Sequence, residues 1–228
     1  DNIDERHATK KDVYVLNTPG ENSVSTAEHT MGIMLALSRN IATSNQAVGE
    51  RAYDRSEFKG QELDHKVLGL IGFGRVGTEV ASRANAFGMT VITHDPYISE
   101  ARAEELGVRY VELDDLLKES DYISLHARLT PDNVHMLSEA QFALMKPGVR
   151  IINAARGRLI DERCMIRHLE SGRVIGVALD ESELGAFTPD HPMVMADNVL
   201  TTPKLGASTR ESEEAVATKI SEQVVDVL

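Results

Sequence analysis

A single cysteine, Cys164, stands in 228 residues, so the chain has no intrachain disulfide framework and nothing speaks for an oxidising compartment. That residue reads as a helix-packing side chain. Basic residues are also scarce: 24 Lys and Arg against 36 Asp and Glu leave a formal net charge of −12, and no local cationic run offsets it. Nucleic-acid backbones select basic surfaces, so no nucleic acid is expected as a partner. Long hydrophobic runs are missing too. The longest, around Met31 to Leu37, is far too short to span a bilayer, and the first residues are charged and polar. The expectation is a soluble, cytoplasmic protein with no membrane partner. Internal repeats and low-complexity segments are absent, as is any Ser-His-Asp arrangement. His29, His65, His135, His168 and His191 show neither metal-ligand spacing nor mutual pairing, so no metal is expected.

What is present is a glycine turn in a strand-to-helix setting. Gly72-Phe73-Gly74-Arg75-Val76-Gly77 follows the apolar run Val67-Leu68-Gly69-Leu70-Ile71 and opens a segment in which Val76, Val80, Ala84 and Phe87 recur at helical spacing before Gly88. Such a turn lets backbone amides approach a pyrophosphate while the helix N-terminus supplies partial positive charge. Asp95 ends the next apolar run, Thr90–His94, where a carboxylate accepts hydrogen bonds from ribose hydroxyls. Further strands are expected at Tyr122–Leu125, Val149–Asn153, Val174–Leu179 and Val199–Thr202, with helices at Ser138–Met145 and at Asp161–Ser171, the latter capped by Asp161 and stopped by Gly172. Repeated βα units predict an α/β fold, a doubly wound parallel sheet whose ligands bind at the carboxyl ends of the strands. Upstream, Ser25-Thr26-Ala27-Glu28 has the form of a capping box, and the helix behind it is apolar on several sides. Either a subunit contact, hence a homodimer through residues 25–47, or a cover within the domain accounts for that surface. Residues 50–66 read as a connecting loop.

Several loops after the strands then match one family. Asp1-Asn2-Ile3-Asp4, Asn17-Thr18-Pro19, the glycine turn, His94-Asp95-Pro96-Tyr97, Met145-Lys146-Pro147-Gly148, Ala155-Arg156-Gly157 and Leu205-Gly206-Ala207-Ser208-Thr209 resemble, in order and spacing, the D-2-hydroxyacid dehydrogenases, closest to the 3-phosphoglycerate dehydrogenase branch. The resemblance implies an NAD-binding domain inserted into a substrate domain. On that reading residues 1–20 are a remnant of the substrate domain, 21–206 the NAD-binding domain and 207–228 a crossover helix, and the chain is expected to be a fragment. NAD is the implied cofactor and a small anionic 2-hydroxy or 2-oxo acid the implied substrate. The implied cofactor contacts are Gly72, Gly74, Arg75, Val76, Gly77 and Asp95; His126, Ala127, Arg128 and Thr130; Ala154, Ala155 and Arg156; and Asp180, Lys204 and Gly206. Substrate contacts fall on Asn22, Arg156 and Lys204.

Arg156 matches the family arginine that holds the substrate carboxylate, and a guanidinium with two parallel donors suits that task. Asp180 matches the aspartate placed near the nicotinamide carboxamide. Two departures follow. The family reads Thr-Pro-His at the last strand where this chain has Thr202-Pro203-Lys204, and the glutamate that pairs with that histidine aligns with Gly185, leaving Glu181 or Glu183 as the alternatives. A carboxylate raises a histidine towards neutrality but moves a lysine, ordinarily about 10.4, further from it, so the two losses fit together. Lys204 is therefore either a substitute acid-base catalyst or the mark of an inactive site that binds NAD as a sensor or scaffold. Arg128, where relatives carry proline, reads equally as an adenine or phosphate contact and as an exposed arginine.

Overall fold

A computed structural model describes residues 3–50, 53–196 and 198–227. Asp1 and Asn2 of the first family-like motif lie outside the described residues. Seven parallel strands, β1 (Val67–Ile71), β2 (Thr90–His94), β3 (Arg109–Tyr110), β4 (Tyr122–Leu125), β5 (Val149–Asn153), β6 (Val174–Leu179) and β7 (Val199–Thr201), form one sheet in the order β3-β2-β1-β4-β5-β6-β7. The order reverses between β1 and β4, which opens a crevice at their carboxyl ends. Helices covering both faces bury the central strands, which is why these read as continuous apolar runs. Two differences from expectation concern the edges. β3 is only two residues long, too short to leave a periodic signal, and β7 ends at Thr201 because Thr202 already turns to hydrogen-bond Asp180.

The helices, in chain order, are α1 (Glu5–Lys10), α2 (Ser23–Ser38), α3 (Ile41–Glu50), α4 (Arg75–Ala86), α5 (Glu100–Glu105), α6 (Leu113–Glu119), α7 (Glu139–Leu144), α8 (Glu162–Glu170), α9 (Pro192–Met195) and α10 (Arg210–Val227). Strand alternation sends side chains to two cores. On one face Leu116, Leu117, Phe142 and Met165, from α6, α7 and α8, pack on Ile71, Leu125 and Ile151. On the other Met31 and Met34 of α2, with Val80 and Ala84 of α4, pack on Leu68, Leu70 and Ile152. The Asp161 cap holds, its carboxylate accepting from the Cys164 amide at 3.0 Å, and Gly172 turns the chain at φ +73°.

The capping box at Ser25–Glu28 is not formed. α2 starts two residues earlier, at Ser23, so both residues are inside the helix. The Ser25 hydroxyl instead donates to the Gly206 carbonyl at 2.7 Å, and Glu28 lies outside near Arg83, at 3.5 Å. A more distant acceptor has outcompeted the local one. The apolar surface of α2 is used within the domain, against α4, β5, β6 and β7, and Ser38 at its end donates to the Tyr122 hydroxyl at 3.0 Å. α3, by contrast, buries no residue and leaves Ile41 and Val48 exposed. Residues 53–66 connect as expected, with one short 3-10 turn at Arg55–Phe58. Among the described residues no helix is long and apolar enough to cross a membrane.

Candidate functional site

The glycine turn leaves β1 at Gly72, whose φ of +95° and close approach to the Ala127 amide exclude a side chain; an added Cβ would lie 2.6 Å from that nitrogen. At Gly77 a Cβ would collide with the Gly72 carbonyl oxygen, so the bare backbone lets α4 sit against the turn. Gly74 differs. Nothing lies within 4 Å of the Cβ it lacks, and no side chain caps the α4 N-terminus that it precedes. Open space in front of uncapped amides is what a pyrophosphate requires. Asp95 reaches across from β2: its Oδ2 accepts from the Phe73 amide at 2.7 Å and its Oδ1 from the Tyr97 amide at 2.8 Å. The carboxylate is thereby fixed beside the turn with acceptor capacity to spare. These residues fit a dinucleotide.

Three further loops converge on the crevice. After β5, the Asn153 side chain receives the Ala155 amide at 3.0 Å and donates to the Arg156 carbonyl at 2.9 Å, which shapes the turn that presents Arg156. Gly157 lets this turn lie directly on the backbone of Ser182 and Glu183; a Cβ there would overlap both. After β6 comes Asp180, with its side chain 5% exposed. It accepts from His29 Nε2 at 3.1 Å, Thr202 Oγ1 at 2.7 Å, the Leu205 amide at 2.7 Å and the Gly206 amide at 2.8 Å. Burial works against its charge, but these four donors outweigh it and hold the carboxyl down to about 2. Its backbone carbonyl receives the Lys204 amide at 2.8 Å, and Lys204 is kept in the left-handed region at φ +57°.

Lys204 does not lack a carboxylate. Glu181 Oε2 lies 3.1 Å from Lys204 Nζ and 4.0 Å from Arg156 Nη1. The contact is electrostatic, since no described donor addresses that buried oxygen with hydrogen-bonding geometry. Glu183 is occupied elsewhere, paired with His135 and donating its amide to Glu162 Oε1 at 2.8 Å. Of the two alternatives left by the sequence, Glu181 is the one beside Lys204. The lysine therefore has a carboxylate beside it, at the position right after Asp180, although the position aligned with the family glutamate is Gly185.

The cavity these loops enclose, about 790 Å³, is lined by eleven of the expected residues: Asn22, Val76, His126, Ala127, Arg128, Ala154, Ala155, Arg156, Asp180, Lys204 and Gly206. Gly72, Gly74, Gly77 and Asp95 form the turn at its edge. Two expectations shift. Arg75 folds outward to the Pro19 carbonyl and borders a separate groove, since that acceptor lies within reach of the first turn of α4. Thr130 is absent from the lining because, with Asn133, it caps the turn Pro131–Asn133. His126 hydrogen-bonds Ser124 Oγ at 2.9 Å, and the protein packed around its ring pulls the imidazole down to about 4, so it is neutral at physiological pH. His29, which the sequence left without a partner, is the residue that props Asp180.

A second cluster escaped the sequence reading. Glu139, Cys164 and His168 bring three ligand-type atoms within 4.8 Å of one another. The signal is in the sequence, because Cys164 and His168 are four residues apart on one helix face, a spacing that a search for histidine pairs does not reveal.

A doubly wound parallel sheet whose first strand ends in this turn, with a carboxylate after the second, defines a dinucleotide-binding domain of the dehydrogenase kind. Comparison with known proteins narrows this. The model of the D-isomer specific 2-hydroxyacid dehydrogenase NAD binding domain matches residues 31–206, and the chain belongs to that family. It is 43% identical over 227 residues to a D-3-phosphoglycerate dehydrogenase of Archaeoglobus fulgidus, covering 100% of this chain and 43% of the relative. It is 44% identical over 226 residues to a hydroxypyruvate reductase of Thermotoga maritima, covering 98% and 73%. Among solved structures, D-lactate dehydrogenase from Aquifex aeolicus, complexed with NAD and lactic acid, superposes with a TM-score of 0.88 at 34% identity, covering 98% of this chain and 72% of that one. The chain spans less than half the length of the phosphoglycerate dehydrogenase it matches.

The glycines separate binding from folding. Gly74→Ala should keep stability within about 1 kcal/mol while weakening NADH binding, whereas Gly77→Ala, pressed against backbone, should destabilise by about 1–3 kcal/mol. Urea unfolding and NADH fluorescence titration check both; unchanged NADH affinity in Gly74→Ala would remove the phosphate cradle.

Asp180 makes a pH prediction. A carboxyl lowered on folding from 3.8 to about 2 contributes stability that is complete above about pH 4 and is lost as pH falls towards 2. The contribution is about 2 kcal/mol. Urea midpoints measured from pH 7 to 2 should fall more steeply in the wild type than in Asp180→Asn; equal slopes would contradict the assignment.

Proposed function

We propose that this domain serves an NAD-dependent oxidoreductase, phosphoglycerate dehydrogenase-like, in which a hydride moves between the nicotinamide and C2 of a small 2-hydroxy or 2-oxo acid. The observation that carries this reading is the convergence of Arg156 and Lys204 on the cavity that begins at the dinucleotide turn. NAD(H), when bound, supplies or takes the hydride. The protein supplies the rest. Arg156 offers its guanidinium to the substrate carboxylate and so orients the 2-oxo group. Lys204 gives a proton to the oxygen as the carbonyl is reduced and recovers it in the reverse direction. Glu181 fixes the lysine between these events, and Asp180 holds the loop that carries it. Ile41, exposed at the start of α3, supports a homodimer through the 25–47 region, and exposed Val48 extends the same helix surface just beyond it.

One observation favours a second reading, an NAD-binding homologue without turnover that acts as sensor or scaffold. In the structure the Lys204 ammonium is already paired with Glu181, and its side chain is 69% exposed. Rates with NADH and a panel including hydroxypyruvate and the 2-oxo acids corresponding to 3-phosphoglycerate and lactate separate the two. Stoichiometric NADH binding with no turnover of any of them would favour the second.

NADH should bind more tightly than NADPH by about tenfold or more, a difference of about 1.4 kcal/mol, because the fixed Asp95 carboxylate repels a 2′-phosphate. Calorimetric titration of each cofactor checks this, and a preference for NADPH, with Arg128 as the phosphate contact, would defeat it. Lys204→Ala in the active protein should lower turnover by about 10²–10⁴-fold while NADH affinity changes little. Unchanged turnover would take proton transfer away from Lys204.

A further inference from the structure

Among the described residues, the most concentrated set of ligand-type side chains outside the cleft lies where α7 meets α8. Cys164 and His168 project from one face of α8, one turn apart, and Glu139 opens α7 opposite them. Glu139 Oε2 is 3.1 Å from Cys164 Sγ, and Glu139 Oε1 is 3.1 Å from His168 Nε2. None of the three lines the cavity bearing Arg156 and Lys204.

The positions differ in depth. Cys164 is fully buried, the His168 side chain is 12% exposed, and the Glu139 side chain is 65% exposed. The cluster therefore opens to solvent on the carboxylate side, with sulfur at its floor. The imidazole is stacked on Phe142, ring centroids 4.9 Å apart and planes within 15°, so Nε2 is held towards the other two ligand atoms without a rearrangement of the ring. The Asp161 cap, bonded to the Cys164 amide, fixes the turn of α8 on which the sulfur sits.

We propose that Cys164, His168 and Glu139 form a binding site for a divalent cation of the zinc type. A set of one sulfur, one imidazole nitrogen and one carboxylate oxygen suits that borderline-soft ion better than magnesium or calcium, which take oxygen. The two 3.1 Å separations belong to different oxygens of Glu139, so a single carboxylate oxygen, the sulfur and the imidazole nitrogen, which lie within 4.8 Å of one another, must adjust on binding to the ~3.3–3.7 Å spacing of neighbouring ligands around a tetrahedral zinc, for metal–ligand distances of about 2.0–2.3 Å. Cys164 loses its proton to solvent on binding, and the fourth position is left to water. Arg167, whose Nη2 is 3.0 Å from Glu139 Oε2, must release that oxygen; its side chain is 60% exposed and can swing into water. The bound ion would join α7 to α8 and leave the dinucleotide cleft untouched.

Cobalt(II) is the probe, because a thiolate ligand gives it a charge-transfer absorption that oxygen and nitrogen ligands do not. Titrating the chain with Co²⁺ should produce that band, saturating at one equivalent and bleached by added Zn²⁺. Cys164→Ser should abolish the band. In case that buried substitution perturbs folding, Glu139→Gln and His168→Gln provide an independent arm. Each should retain its circular dichroism spectrum and bind NADH as the wild type does, yet weaken Co²⁺ affinity by more than about tenfold, the least expected when a ligand rather than its supporting group is removed. Absence of a charge-transfer band in the wild type, its persistence in Cys164→Ser, or wild-type Co²⁺ affinity in both Glu139→Gln and His168→Gln would each overturn the site.

Discussion

The Asp180 carboxylate is the interaction on which the cleft depends. One buried anion collects a histidine from α2, a hydroxyl from the end of β7 and two amides from the loop beyond it. Its own carbonyl receives the amide of Lys204. A buried charge satisfied this completely is stable only as an assembly, since removing any partner leaves the anion under-solvated. The covering helix, the last strand and the residue expected to handle protons are therefore placed by one group. The left-handed conformation of Lys204, costly for a residue with a side chain, is part of that arrangement.

Around this centre the charges alternate. Arg156 and Lys204 flank Glu181, and neutral His126 adds no further cation to the cavity wall. Any carboxylate ligand entering the cavity would compete with Glu181 for the same two cations, so the net attraction it feels is weaker than Arg156 and Lys204 alone would give.

Most of the sheet was legible because parallel strands buried on both faces leave unbroken apolar runs, and the glycine turn because its chemistry is encoded in residues that lack side chains. β3 was not legible: two residues carry no period. The start of α2 was misplaced because Ser25 and Glu28 satisfy a local rule, while the Gly206 carbonyl that takes the Ser25 hydroxyl is 181 residues away in sequence. Glu181 and Glu183 stood as alternatives beside Lys204, and the choice between them had to wait for the run of β7 alongside β6, which brings Lys204 to Glu181. Arg75 and Thr130 were placed at the cofactor by their positions in a pattern; in the structure the Arg75 side chain reaches the Pro19 carbonyl and Thr130 pairs with Asn133. The Glu139 cluster needed two helices whose sequence separation hides their contact.

The bare backbone at Gly157 has a mechanical consequence. The turn bearing Arg156 rests on the peptide units of Ser182 and Glu183 with no side chain between them to slide or change rotamer. The two loops therefore form one stiff floor, anchored at neighbouring strands β5 and β6. Arg156 and Glu181 both rise from this floor, with their side chains 4.0 Å apart. A side chain at position 157 would have to push the Arg156 turn off the β6 loop, so the two loops hold their contact only while this position stays bare.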